Sequence, residues 1–158
     1  MQKLKAFVAS VLFGAVVSVV SSFLFLLFAQ NWAAGISSLW GGGWLYVATF
    51  IPFVMAFPMV GHYLANTARV TNRTMWLASF ISAFLVTLVS GAVGAIFAEY
   101  IIRGSLDTVN MEGTLLWGGI YAAVLLPITG VFARVILHIY ATFLVKIGVV
   151  PKGIIPGS

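Results

Sequence analysis

Hydrophobic positions in this chain come in runs far longer than a buried strand or a surface helix requires. No charged residue stands anywhere between Lys5 and Arg69, and the stretch from Phe7 to Phe28 is almost wholly apolar. A second apolar run extends from about Trp44 to Leu64, and a third from about Thr74 to Ile102 with Glu99 as its one charge. A fourth begins near Thr114, stays apolar to Phe132, and continues past Arg134 and His138 towards Lys146. Crossing the hydrocarbon core of a bilayer takes roughly 20 apolar residues in a helix. In lipid the backbone must also pair its own polar groups, which a helix does within one segment. The pattern therefore predicts an all-α membrane protein, a bundle of four transmembrane helices at about 6–29, 44–65, 74–102 and 114–147, forming one transmembrane domain over 1–158. The first run is about twice the 7–15 residues of a signal-peptide core and ends without a clean A-x-A exit, so it reads as a retained span.

Small residues recur inside two of these spans at helical spacing. Ala6, Ser10, Gly14, Ser18 and Ser22 follow one another at intervals of four, as do Ser79, Ala83, Thr87, Gly91 and Ala95. Positions i and i+4 share a helix face, and lines of small side chains let backbones approach closely where lipid supplies little hydrophobic drive. Both lines are expected to be interfaces, either between helices of one chain or between subunits of a homo-oligomer. Glu99 and Arg103 extend the second line and stand four apart, which suits an ion pair near the membrane surface. Pro52, Pro58 and Pro127 each remove a backbone hydrogen bond and are expected to kink their helices.

A spacing repeats in the two halves. Trp40-Gly41-Gly42, Tyr46, Pro52 and His62 find counterparts in Trp117-Gly118-Gly119, Tyr121, Pro127 and His138. A doubled two-helix unit, with repeats at 1–70 and 71–150, would relate the halves by a pseudo-two-fold axis along the membrane normal, because a unit with two spans repeats without inversion. In that arrangement the Trp-Gly-Gly segments lie at the membrane interface, where Trp is favoured, and their glycines allow a tight entry into the second and fourth helices.

Composition agrees with the pattern. Hydrophobic residues make up 62% of the chain and charged residues 7%, against about 25% charged in a soluble domain. Lys3, Lys5, Arg69, Arg73, Arg134, Lys146 and Lys152 fall at the termini or between the second and third spans. Arg103 and the three acids, Glu99, Asp107 and Glu112, fall on the other side. By the positive-inside bias both termini are expected in the cytoplasm of a cell membrane, of the bacterial inner-membrane type. Topology accounts for the net charge of +5, so no nucleic-acid partner is implied.

Candidate chemistry is sparse. The chain has no Cys and therefore no thiolate ligand or nucleophile. Its acids are separated by the membrane from both His, and no HExxH, GxSxG or Walker loop occurs. An enzyme is not expected, nor a resident metal. His62 and His138 fall at similar depth, a spacing two imidazoles could use to ligate one b-type haem. Arg69, Arg73, Arg134, His138 and Lys146 form a basic rim suited to membrane lipids or an acidic partner segment. The function these features fit is contact: an accessory, exclusion or immunity-type factor, or a subunit of a larger membrane assembly. One alternative is a small oligomeric channel or transporter lined by the second and fourth helices; another is the haem subunit.

Overall fold

The computed structural model describes residues 2–32, 43–67, 70–107, 109–151 and 153. Trp40-Gly41-Gly42, Arg69 and Lys152 lie outside the described residues, so the roles expected of them have no structural counterpart here. Among the described residues the fold is all-helical, without strands. Helix α1 covers Gln2–Trp32 and α2 covers Gly43–Asn66. Helices α3 (Asn72–Val89) and α4 (Ala95–Arg103) are joined by a π-helical turn, Ser90–Gly94, into one continuous third span, Asn72–Arg103. Helix α5, Met111–Lys146, forms the fourth. All four spans are long and apolar enough to cross a membrane.

Local chemistry sets the helix ends. Thr71 caps α3 by accepting from the Thr74 amide at 3.1 Å, and Asn110 caps α5 by accepting from the Gly113 amide at 2.9 Å. The third span stops at Gly104, whose φ of 77° is left-handed. At the end of α5, Gly148 (φ 74°) donates to Val145 O and Val149 donates to Leu144 O, both at 3.0 Å. That paired closure is a Schellman motif. It turns the chain back so that Val150 is buried beneath the bundle beside Val70 and Leu144.

Packing follows the hairpins. Helix α1 lies along α2 and α3 lies along α5, while α2 also packs on the π turn and α4. Ser10, Gly14, Ser18 and Ser22 are all buried, and they face α2. A Cβ on Gly14 would stand 2.7 Å from the Phe53 carbonyl oxygen and 3.1 Å from Val54 Cα. Ser18 and Ser22 hydrogen-bond Thr49 Oγ1 at 3.0 and 2.8 Å. In the second line Ser79 and Ala83 are buried, Thr87, Gly91 and Ala95 are half-buried, and Gly91 lies against Gly118 of α5. Gly14, Ser18 and Ser22 thus pack α1 on α2 and Gly91 packs the third span on α5, while Ser10 meets α2 at Gly61 and α5 at Tyr140.

Helix α2 runs unbroken through Pro52 and Pro58, and α5 through Pro127. A proline at position 52 has no N–H for the carbonyl of Ala48. That carbonyl points at Gly94, where any Cβ would collide with it. Pro52 and Gly94 are thus two halves of one contact, which brings α2 onto the end of the π turn. The irregular turn of the third span contains no proline, and the sequence pattern did not single it out.

The Trp-Gly-Gly expectation needs correction at its second copy. Trp117-Gly118-Gly119 does not lead into a helix but lies inside α5, which begins at Met111. Gly118 is buried there because a Cβ would come within 2.8 Å of the Gly91 backbone and 2.9 Å of Ala92 Cβ. It is a packing notch, not a turn. The two halves also differ in their prolines, with Pro52 buried and Pro127 exposed.

The buried core is concentrated at the end carrying the termini. Phe57, Leu64, Met75, Leu137, Tyr140 and Leu144 form it, with Phe13 of α1 edge-on to Phe57, tilted against Tyr140 and stacked on Phe143. Lys5 reaches the same end of α5, donating to the Ile147 carbonyl at 3.2 Å.

Candidate functional site

Three places combine exposure, shape or polarity in ways that packing alone does not require. The first is an open furrow of about 550 Å3 on the outer surface between α2 and α3. Its walls are ridges at i, i+4 spacing: Met55 and Met59 on α2, and Leu77, Ile81 and Leu85 on α3. These side chains stand well out of the molecule, with Met59 68% and Leu77 60% exposed. The less exposed lining between them is made mostly of smaller side chains, Pro52, Ala56, Ala78 and Ser82, with Val60 and Val86. The furrow arises because α3 gives its small-residue face to α5, while α2 divides its own between α1 and the π turn. The faces of α2 and α3 that look towards each other are left incompletely filled. Its surface is overwhelmingly apolar, as a lipid-facing cleft must be.

The second place is internal. Tyr140 of α5 is fully buried, and its hydroxyl hydrogen-bonds Ser10 Oγ at 2.6 Å and the Phe57 carbonyl at 2.9 Å. Gly61 leaves the room for it, since a Cβ there would collide with the Tyr140 hydroxyl. One side chain thereby ties α1, α2 and α5 together. Ser90, in the π turn, is buried and its hydroxyl has no partner among the described residues. Nothing in the one-dimensional pattern marks Tyr140, whose partners lie 130 and 83 positions away in the sequence.

The third is the basic end. Arg134 Nη2 donates to Asn72 Oδ1 at 2.9 Å, and the guanidinium lies 5.8 Å from the centroid of the Trp76 ring. Trp76 in turn stacks on Phe80, which fills the space left by Gly130. His138 is exposed and lines a shallow recess of about 310 Å3 with Arg134. Arg73 and Lys146 are exposed. At the opposite end Arg103 pairs with Glu99 at 2.7 Å, the i, i+4 partner its spacing implies.

His62 and His138 do not converge. His62 is exposed and its Nε2 lies 3.1 Å from the Asn66 amide on its own helix. His138 stands two residues before Tyr140, which faces α2. At roughly 100° per residue the imidazole leaves α5 about 200° round from that face. A haem shared by the two within one chain finds no support in this arrangement. Among the described residues no cluster of His, Asp or Glu could hold a metal ion either.

No known family model, curated protein or solved structure matches this chain.

Proposed function

We propose that this is a small polytopic membrane protein that acts by contact, receiving an apolar helix of another membrane protein in the furrow between α2 and α3. The observation that carries the reading is the shape of that furrow: two ridges of large, exposed side chains at i, i+4 spacing flank a floor of small ones. Helices associate by setting such ridges into such grooves, and in lipid close fit is the main attraction available. Methionines in one wall suit a partner surface that must be accommodated, since the unbranched thioether adapts its shape. The described spans meet backbone to backbone at Gly14–Phe53, Gly94–Ala48 and Gly91–Gly118, so the alternative, a small channel or transporter, would form its route between copies of the chain.

The same reading has the chain in a cell membrane of the bacterial inner-membrane type with both termini in the cytoplasm, on the seven-to-one distribution of Lys and Arg. A phosphatase reporter fused after Pro151 should be silent and a fluorescent one bright; the reverse pattern would overturn the orientation. The hairpins are further read as products of one duplicated unit. Each closes along its own line of small residues, α1 on α2 and α3 on α5.

Filling the floor tests the contact role. With a photo-reactive residue at Ile81, irradiation of intact membranes should give a single protein adduct joined through an apolar segment. Ala78→Trp should abolish that adduct while the chain accumulates to the same level. Adducts to lipid alone, or an adduct indifferent to Ala78→Trp, would refute the reading.

A further inference from the structure

The uncharged stretch of α5 from Gly113 to Ala133 rises roughly 32 Å. The hydrocarbon core of a bilayer is about 30 Å thick. Arg134 therefore leaves the hydrocarbon at the level of the lipid headgroups, and Asn72 and Trp76 of α3 share that level because they touch it. An arginine serving only as a topological anchor would trail freely into water. This one is held in place by an amide on one side and an indole face on the other. Its Nε is buried and has no acceptor among the described residues. His138 lies one turn further along the same face of α5, with Val135 and Ile139 completing the recess. Arg73, exposed, stands three residues before Trp76 on α3 and so on the neighbouring face. None of the acidic side chains competes here, because Glu99, Asp107 and Glu112 all belong to the opposite end.

We propose that Arg134, with His138 in the same recess and Arg73 next in the chain to its Asn72 partner, binds the phosphate of an anionic phospholipid headgroup. The guanidinium fork matches phosphate oxygens two at a time, here through the Nη N–H donors that the bond to Asn72 leaves over, with the buried Nε beneath them. Apolar Val135 and Ile139 flank the recess where the glycerol and upper acyl carbons of a lipid would lie, a contact that a soluble phosphate lacks. A zwitterionic lipid fits less well, since its ammonium group would meet further cations and no acid. Asn72 is a positioning residue, aiming the guanidinium through its amide oxygen.

Native mass spectrometry of the full chain, delipidated in detergent and titrated with phosphatidylglycerol, phosphatidylcholine or inorganic phosphate, tests the proposal. Phosphatidylglycerol should bind at least about tenfold more tightly than phosphatidylcholine, the scale of one close like-charge contact between the choline ammonium and the basic recess. Arg134→Gln should erase that preference, and Arg134→Lys, which keeps the charge without the fork, should weaken it. Arg103→Gln, removing equal charge at the other end, should leave it intact. Asn72→Ala retains every charge and should still lower the preference, which keeps the proposal testable if Arg134→Gln fails to fold. Equal binding of the two lipids, equal losses for Arg134→Gln and Arg103→Gln, or competition by millimolar inorganic phosphate as effective as the lipid would overturn it.

Discussion

Gly94→Ala is expected to destabilise the protein by about 3 kcal/mol, the upper part of the range for overpacking a close contact. The added methyl would strike the Ala48 carbonyl oxygen and come 3.1 Å from the Val89 carbonyl. Both obstacles are backbone, so no side chain can swing aside. Relief requires the third span to move off α2, and in lipid no hydrophobic drive pulls it back. Unfolding in mixed micelles of increasing SDS fraction provides the measurement. Gly119→Ala is the control, because its Cβ meets nothing within 4 Å and the substitution favours helix. It should be neutral or stabilising by about 0.5–1 kcal/mol. Equal destabilisation by the two variants would refute the Pro52–Ala48–Gly94 account.

Tyr140→Ala is expected to cost still more, about 3–5 kcal/mol, by opening a cavity where α1, α2 and α5 meet. Tyr140→Phe isolates the hydroxyl and should cost about 1–2 kcal/mol, since it removes the bonds to Ser10 and the Phe57 carbonyl but keeps the ring among Phe13 and Phe57. Ser10 retains its bond to the Ala6 carbonyl at 2.6 Å and is not left stranded. In a double-mutant cycle with Ser10→Ala the two losses should therefore overlap instead of adding. Strict additivity would mean that the 2.6 Å contact contributes nothing to holding α1 on α5.

The spans were legible because length and the absence of charge are one-dimensional properties: α2 begins and ends within a residue of the expected 44–65. The lines of small residues were legible for the same reason, as a spacing of four is written directly in the sequence. What each line touches was not. The Ser10–Ser22 line meets Thr49 and Phe53, positions that no periodicity connects to it. Trp117-Gly118-Gly119 was misread because glycine serves equally in a turn and in a notch, and only the approach of Gly91 distinguishes the two. The furrow was invisible for a related reason. Met55, Leu77 and Ile81 look like any lipid-facing side chains until two helices are seen to leave the space between them unfilled.

The π turn at Ser90–Gly94 has one more consequence. A π turn holds one residue more than an α turn while the helix on either side keeps its path. Elsewhere in the third span an insertion or deletion of one residue would swing everything beyond it by roughly 100°, turning Phe97 and Ile101 away from lipid and breaking the alignment of Ala98 with the interior. Within Ser90–Gly94 a shortening by one residue is absorbed by reverting to ordinary helix. The third span can therefore lose one residue at this turn without rotating the outer face beyond it.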